Sequence, residues 1–319
     1  MLQSPLKHGL MLLIVVLALT GCGGVVVGPP PPPPAPKIYV ADRDNDRVVR
    51  FDDMSGTGWT TFGTSGTGAN QFDSPVQLFV DASGRIYVSD QLNNRIVRMN
   101  DMSGGGWTAY GSLGSGMGKF SGPRGIFVDP AGKIYVVDQG NNRIVRIDDM
   151  AGTNWTEFGG PGGDPLSTPF GVYVDATGKI YITDQGKNRV VRMNDMSGGG
   201  WTTYGSFGSG TGNFNGPRGV FLDAAGKIYV ADMSNNRIVR IDDMLGANWA
   251  ELGTAGSGTG QFNFPVGIFV DSGGKIFVGD HANHRIVRMD NITGARWTTL
   301  GAMGSGPGQF NFPTGVFVR

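Results

Sequence analysis

Residues 133–146 have the sequence KIYVVDQGNNRIVR, which is an apolar run, a turn rich in Gly and Asn, and a second apolar run. The stretch occurs six times, with copies that begin at residues 37, 85, 133, 179, 227 and 275. The steps between copies are 48, 48, 46, 48 and 48 residues. Self-similarity at a nearly fixed period indicates a repeat architecture, in which each repeat is one supersecondary unit.

Two further signatures keep this period. A Pro-x-Gly motif followed by an apolar run begins at Pro75, Pro123, Pro169, Pro217, Pro265 and Pro313, with Gln77 in place of Gly in the first copy. The six Trp residues occur once per repeat, at positions 59, 107, 155, 201, 249 and 297.

Alternate repeats also match, because Asp-Asp-Met at 52–54, 148–150 and 242–244 alternates with Asn-Asp-Met at 100–102 and 194–196. This alternation indicates growth by duplication of two-repeat units, with pseudo-threefold symmetry.

Each repeat contains the signals for four short strands. In the third repeat these are residues 125–129, 133–138, 143–147 and 155–158, separated by clusters of Gly, Asn, Asp and Pro. Short β-branched and aromatic runs between such clusters are typical of strands and turns. No stretch after residue 22 has a 3.6-residue apolar period, so we expect essentially no helix there. Six repeats of four strands predict an all-β fold, a six-bladed β-propeller.

The repeat resembles the NHL repeat family. Its pattern of Pro-x-Gly-Ile-x-Val-Asp, then Gly-x-Ile-Tyr-Val-Ala-Asp, then Asn-x-Arg-Ile is followed in all six copies with small departures, and residues 283–285 read Asn-His-Arg. The resemblance covers residues 37–319 and implies one propeller domain over that range.

The two ends of the repeat region are complementary. The region begins at Lys37 with a second strand and ends at residues 315–319 with a first strand. Joining the two would complete the first blade and close the ring, which removes exposed sheet edges. The sequence therefore predicts a ring closed by its C-terminal strand.

The first 21 residues have the features of an export signal. Lys7 precedes an apolar run from Leu10 to Leu19 that is too short to span a bilayer. The run leads into Leu-Thr-Gly-Cys at 19–22, which resembles the bacterial lipobox. The resemblance implies cleavage before Cys22, its lipidation, and anchoring to the cell envelope, in the outer membrane if the host is Gram-negative. An ordinary secretory signal is the alternative.

Residues 22–36 form the predicted linker, with six consecutive prolines from Pro29 to Pro34. Proline fixes φ and has no N–H to donate, so the segment favours polyproline II. At ~3.1 Å per residue, residues 29–36 would span roughly 25 Å. We interpret the segment as a spacer between membrane and propeller, and a ligand for a partner's groove is the alternative.

Composition limits the partners. The chain has 26 basic and 26 acidic residues, so nothing attracts a polyanion and we expect no nucleic acid. One cysteine excludes an internal disulfide and a cysteine-based zinc site. We expect a monomer whose partners are the lipid bilayer, reached through acylated Cys22, and a protein or small ligand.

Residues repeated in every blade are predicted to be scaffold. The Asp that closes each second strand, such as Asp138, stands five residues before an Arg, such as Arg143. We expect each pair to form a clasp across a turn, because a partly buried carboxylate needs a charged partner. A ring of these Asp around calcium is the alternative.

Each Trp is expected to pack in an outer strand between blades, with a sugar-stacking platform as the alternative. The Gly-rich loops lead into strands, not helices, so they are connections and not phosphate sites.

Function is expected where the blades differ on the face that surrounds the channel mouth. The residues after each Pro are Val76, Arg124, Phe170, Arg218, Val266 and Thr314, and those after each clasp Asp are Arg43, Gln91, Gln139, Gln185, Met233 and His281. Arg binds carboxylate or phosphate through its fork, and Gln both donates and accepts. The candidate ligand-binding residues are Arg124, Arg218, Phe170, Arg43, Gln91, Gln139, Gln185 and His281, for an anionic or hydroxyl-rich ligand. A solvated face with nothing bound is the alternative.

Three functions remain open from sequence. The first is a binding or scaffolding module at the envelope. The second is an enzyme, which follows from a resemblance to propeller lyases and lactonases and implies His, Glu or metal-bound oxygens in the channel. The third is a purely structural envelope protein. After the leader the chain has two Glu, at 157 and 251, and two His, at 281 and 284. Zinc sites usually need three converging ligands, so we expect no metal, no cofactor and no assigned catalytic residue.

Overall fold

The computed structural model describes residues 36–319. The predicted signal peptide at 1–21, the predicted lipidation site Cys22 and the predicted linker up to residue 35 lie outside the described residues. Within residues 36–319 no helix is long and apolar enough to cross a membrane.

Residues 36–319 form six four-stranded antiparallel sheets, which we number as blades 1 to 6 with strands a to d from the channel outward. Blade 1 comprises Pro313–Val318, Ile38–Asp42, Arg47–Phe51 and Thr60–Phe62. Blade 2 comprises Pro75–Val80, Ile86–Asp90, Arg95–Met99 and Thr108–Tyr110. Blade 3 comprises Pro123–Val128, Ile134–Asp138, Arg143–Ile147 and Thr156–Phe158.

The other three blades follow the same plan, which confirms the predicted six-bladed propeller. Blade 4 comprises Pro169–Val174, Ile180–Asp184, Arg189–Met193 and Thr202–Tyr204. Blade 5 comprises Pro217–Leu222, Ile228–Asp232, Arg237–Ile241 and Ala250–Leu252. Blade 6 comprises Pro265–Val270, Ile276–Asp280, Arg285–Met289 and Thr298–Leu300.

Blade 1 is assembled from both ends of the repeat region. Ile38 pairs with Val318 and Val40 pairs with Val316 in antiparallel register. The N–H of Lys37 also bonds to the carbonyl oxygen of Arg319. The predicted closure by the C-terminal strand is confirmed, and it leaves the first and last described strands without a free inner edge.

Strand direction defines the two faces of the ring. We call the face where the a strands begin, and where the turns between strands b and c lie, the mouth face. Strand b of blade 1 runs from Ile38 towards the mouth face, where Asp42 pairs with Pro313. Residue 37 and the C-terminus therefore both lie on the opposite face.

The structure adds short elements that the sequence pattern did not indicate. Five of the turns between strands b and c contain one 3-10 turn, at Arg43–Asn45, Gln139–Asn141, Gln185–Lys187, Met233–Asn235 and His281–Asn283. Two interblade loops contain small parallel pairs, Thr64–Ser65 with Gln71–Phe72 and Thr254–Ala255 with Gln261–Phe262. A 3-10 turn is only three residues long, so it has no amphipathic period to detect.

The channel is filled away from its mouth. Phe79, Phe127, Tyr173, Phe221, Phe269 and Phe317, one from each a strand, form a closed ring of aromatic contacts. Neighbouring ring centroids are 4.7 to 5.0 Å apart and their planes are tilted. Tilted aromatic pairs at this spacing are favourable beyond the area they bury. The cavity that this ring borders is only about 30 Å³, so the axis is a packed core and not a pore.

The predicted Asp–Arg clasp is confirmed in all six blades. Each Arg Nε donates to the clasp carboxylate at 2.6 to 2.8 Å, and every clasp Asp is fully buried. In blade 3, Asp138 also accepts from the backbone N–H of Ser121 and from Asn141, at 2.7 Å each. Burial raises the pKa of Asp138, which these hydrogen bonds oppose. The clasp thus joins the turn, the strands and the preceding interblade loop.

The predicted packing of the Trp residues between blades is confirmed, because each ring packs against a hydrophobic cluster shared by two blades, but their burial is only partial. Each Trp precedes strand d and is partly exposed or only half-buried, as Trp155 is. Its ring contacts the buried Phe120 at a centroid distance of 5.5 Å, and the Arg143 guanidinium carbon lies 5.5 Å from its centroid. The indole Nε1 donates to Glu157. The Trp therefore covers the clasp from outside, because its N–H needs a polar partner that a dry core would not offer.

Candidate functional site

A β-bulge places one residue of each blade at the channel mouth. In blade 3, Pro123 pairs with Asp138 and Ile126 pairs with Val136, so Arg124 and Gly125 together face the single residue Val137. Bulges re-aim side chains and are common beside functional sites.

In the five blades that have it, the Gly of Pro-x-Gly lies against the neighbouring blade. A Cβ on Gly171 would lie 2.5 Å from the carbonyl oxygen of Arg218, and a Cβ on Gly125 would lie 2.7 Å from the carbonyl oxygen of Phe170. Backbone atoms cannot move away as a flexible side chain could. The Gly therefore lets adjacent a strands approach at the mouth and holds the variable residues close together.

Alternate blades supply an apolar floor to the mouth. Val76, Phe170 and Val266, from blades 2, 4 and 6, form a buried cluster. Residues from three alternate blades can meet only near the channel axis. The floor closes the mouth, so a ligand on this face would rest above it and not pass through.

Two arginines from blades 3 and 5 lie over the central aromatic ring of this floor. The guanidinium carbon of Arg124 is 5.4 Å from the Phe170 ring centroid, and that of Arg218 is 4.9 Å from it. Both distances are within the range for cation–π attraction. Blade 1, the third blade of this alternating set, has Thr314 in place of an Arg. Thr314 is 1% exposed and its hydroxyl donates to the Ala41 carbonyl oxygen at 3.3 Å.

These arginines are not neutralised by acidic side chains. Arg124 Nε donates to Gln139 Oε1 at 3.0 Å, and Arg218 Nε is buried with no partner among residues 36–319. Burial, with repulsion from Arg218 and Arg43, lowers the pKa of Arg124 to about 9. Burial, with repulsion from Arg43, lowers the pKa of Arg218 to about 10. Both side chains stay protonated at neutral pH, so the mouth concentrates positive charge.

Arg43 and His281 complete the cluster. The Nε of Arg43 is buried without a hydrogen-bond partner within the described range, and its nearest acid, Asp44, is 3.6 Å away. His281 Nδ1 is 3.2 Å from the carbonyl oxygen of Pro313. Burial, with repulsion from Arg218, Arg43 and His284, lowers the pKa of His281 to about 4. The imidazole is therefore neutral at pH 7.

The three predicted glutamines differ in their roles. Gln139 contacts Arg124, as described above. Gln91 is 9% exposed and its Oε1 is buried without a partner in the described part of the chain. Gln185 is partly exposed, and no hydrogen bond joins its side chain to the cluster within residues 36–319. The structure thus brings together Arg43, Arg124, Phe170, Arg218, Gln139 and His281.

Two residues that support the site were not predicted. Ser89 Oγ donates to the carbonyl oxygen of Arg124, and Thr183 Oγ1 donates to that of Arg218. Ser89 and Thr183 each stand directly before the clasp Asp in strand b. Only the blades that precede the two arginine blades carry a hydroxyl at this position. The other four residues there are Ala41, Val137, Ala231 and Gly279. Superposition of the six repeats would have shown this coincidence, but its meaning depends on contacts between blades.

The cluster is suited to holding an anion. Arg guanidinium groups bind carboxylate and phosphate oxygens in a bidentate manner, and a partly desolvated site strengthens that attraction. Among residues 36–319 no group of three His, Cys, Asp or Glu side chains is arranged to hold a metal ion.

Comparison with known proteins agrees with the fold. The NHL repeat family matches residues 120–147 and 262–289, so the chain contains NHL repeats as the sequence pattern indicated. No curated protein sequence matches the chain.

Several solved structures are similar. A streptogramin B lyase is 18% identical with a TM-score of 0.60, over 88% of this chain and 82% of that chain. A catalytically inactive virginiamycin B lyase variant from Staphylococcus aureus, solved with quinupristin, is 19% identical with a TM-score of 0.56, over 79% and 77%. A chain of a nidogen/laminin complex is 17% identical with a TM-score of 0.69, over 89% and 98%. At these identities the similarity shows the propeller fold alone.

Proposed function

We propose that this NHL-repeat propeller is an envelope-anchored binding module that holds an anionic group at its channel mouth. The proposal rests on one observation, which is that Arg124 and Arg218 flank the Phe170 ring without a carboxylate partner among the described residues. Like charges so close to each other are costly unless an anion joins them. The ligand chemistry is a carboxylate or a phosphate.

The geometry suits the binding of a single charged group of a ligand, and it does not suit a ligand enclosed within the channel. The floor of Val76, Phe170 and Val266 closes the channel below the arginines. Arg124 and Arg218 supply the forked donors, and Gln139 is bonded to Arg124 and can turn its amide towards the ligand. The remainder of the ligand would lie on the mouth face.

Calorimetric titration of the full chain with inorganic phosphate and with citrate tests the anion site. We expect both to bind, and we expect the double variant Arg124→Gln/Arg218→Gln to lose roughly tenfold or more in affinity, since two charge-assisted contacts are removed. Arg296→Gln is the matched control, because Arg296 is 82% exposed in a loop of the opposite face. Equal binding by wild type and double variant would refute the site.

The anchor has its own test. Cells that express the chain are labelled with a radioactive fatty acid, and membranes are separated from soluble proteins. Lipidation predicts labelled protein in the membrane fraction, and Cys22→Ser is expected to abolish the label because the acylated thiol is absent. A protein that remains unlabelled with Cys22 intact contradicts the anchor.

A lyase reaction is the second candidate function. It is supported by the fold shared with the streptogramin and virginiamycin lyases and by the neutral imidazole of His281 beside the mouth. Incubation with quinupristin, followed by chromatography of the products, tests it. If the wild type converts quinupristin and His281→Gln does not, catalysis takes place at this mouth. If the wild type leaves quinupristin unchanged, a lyase reaction on this compound is refuted.

A further inference from the structure

Exposed apolar side chains are concentrated on the mouth face. Seven large apolar residues of the described range are strongly exposed. Leu92, Leu113, Met117, Phe207, Phe264 and Met303 lie in loops of the mouth face, and Leu245 alone lies in a loop of the opposite face. Six of the seven therefore lie on the same face as the arginine cluster.

Three of these residues occupy equivalent positions. Leu113, Phe207 and Met303, which we call the apolar tips, are 68%, 72% and 68% exposed in the loops that lead into blades 3, 5 and 1. The corresponding residues in the loops that lead into blades 2 and 6 are the small Ser65 and Ala255. The tips thus follow the same alternation as Arg124 and Arg218, and each tip stands 11 residues before the mouth residue of its blade.

Each tip is held in place by the scaffold. Leu113 forms an isolated bridge to the fully buried Phe120. Asn141, which is bonded to the clasp residue Asp138, donates to the carbonyl oxygen of Gly114 next to the tip at 2.8 Å. The same contact is made at the other two tips, by Asn235 to Gly208 and by Asn45 to Gly304. These contacts fix the backbone at each tip, so little backbone entropy is lost when a partner covers it.

We infer that the mouth face docks an acidic segment of a partner protein, with its carboxylates at Arg124 and Arg218 and its apolar side chains against Leu113, Phe207 and Met303. This inference rests on the proposed anion site and identifies the source of the anion. Charge complementarity selects an acidic partner, and the three tips select one that also carries apolar side chains. An anionic membrane surface also carries negative charge, and the vesicle measurement described below separates it from an acidic peptide.

Three synthetic peptides of equal length serve as probes, with Glu alternating with Leu, Glu with Ser, and Lys with Leu. Fluorescence anisotropy measures their binding to the full chain. We expect the Glu/Leu peptide to bind roughly tenfold more tightly than the Glu/Ser peptide, because only it covers the tips, and we expect no binding of the Lys/Leu peptide. The triple variant Leu113→Ser/Phe207→Ser/Met303→Ser should reduce Glu/Leu binding to the Glu/Ser level.

Leu245→Ser is the matched control, since Leu245 is 87% exposed on the opposite face and its loss should leave peptide binding unchanged. The triple variant should keep its melting temperature and its phosphate affinity. Equal binding of the Glu/Leu and Glu/Ser peptides overturns the docking surface, and so does tip-dependent binding to phosphatidylglycerol vesicles without peptide binding. If phosphate still needs Arg124 and Arg218 in that case, the proposed anion site stands. If phosphate binding does not need them, the proposed function fails first.

Discussion

The hydroxyl of Thr183 in blade 4 donates to the carbonyl oxygen of Arg218 in blade 5, and it accepts the N–H of Gly171 at 2.7 Å. One buried hydroxyl therefore connects the bulge of its own blade to the next blade's mouth residue. Ser89 makes the same contact with Arg124. These contacts make Thr183 and Ser89 positioning residues for the two arginines.

Thr183→Val tests this role. The variant leaves the Gly171 N–H and the Arg218 carbonyl without their partner, so we expect the free energy of unfolding to fall by about 1–3 kcal/mol. We also expect weaker phosphate binding, because Arg218 is no longer fixed. Urea unfolding and calorimetry measure the two effects. Thr203→Val, on the exposed side of strand d, is the control, and unchanged phosphate affinity in Thr183→Val would contradict a positioning role.

Ring closure predicts a large effect of a small truncation. Removing residues 312–319 deletes strand a of blade 1 and exposes Ile38 and Val40 along an open edge. We expect the cooperative thermal transition, followed by circular dichroism, to be lost. A permutant that joins residue 319 to residue 37 and opens the chain at the exposed Gly162 keeps every strand, so it should still unfold cooperatively. A truncated chain that melts at the parent temperature would show that closure is unimportant.

The clasps offer an internal comparison. Arg143 also pairs with Glu157, but the corresponding Arg285 has no second carboxylate partner among residues 36–319. Asp280→Asn leaves the charge of Arg285 uncompensated in a nearly buried place, which typically costs about 3–5 kcal/mol. Asp138→Asn should cost clearly less, because Glu157 remains. Chemical denaturation of both variants checks the order, and equal losses would show that Glu157 does not compensate.

The anion site predicts stabilisation when one of its charges is removed. Arg124 is buried beside Arg218 with a lowered pKa, so its charge is unfavourable when no anion is bound. We expect Arg124→Gln to raise the free energy of unfolding by about 1 kcal/mol without ligand, as at sites where function opposes stability. Thermal melting in a buffer free of phosphate and carboxylate measures the change. A lower melting temperature would indicate that Arg124 serves the scaffold.

His281 predicts a dependence of stability on pH. Its folded pKa of about 4 is below the unfolded value of 6.5, so the folded state favours the neutral imidazole. The contribution is fully present above pH 6.5 and is lost as pH falls towards 4, by up to about 3 kcal/mol. We expect His281→Gln to lose less stability than wild type over this range in urea titrations. Parallel curves for the two proteins would contradict the assignment.

The sequence determined the blade. The period, the Pro-x-Gly strands, the Asp138–Arg143 type of clasp and the complementary ends all follow from patterns within one repeat, because strands and turns depend on residues close in the chain. The sequence also identified Arg124, Arg218 and His281 as differences at the mouth, since variation between otherwise equal repeats is visible without a structure.

Tertiary structure alone decided which of these residues meet. Phe170 lies beneath both arginines, Gln185 makes no hydrogen bond to the cluster within the described range, and Thr314 is buried. The aromatic ring around the axis and the hydroxyl of Thr183 are likewise contacts between blades. They depend on how each bulge turns its side chain and on how closely neighbouring strands approach across a Gly. Such distances are set by the closure of the whole ring, and no single repeat encodes them.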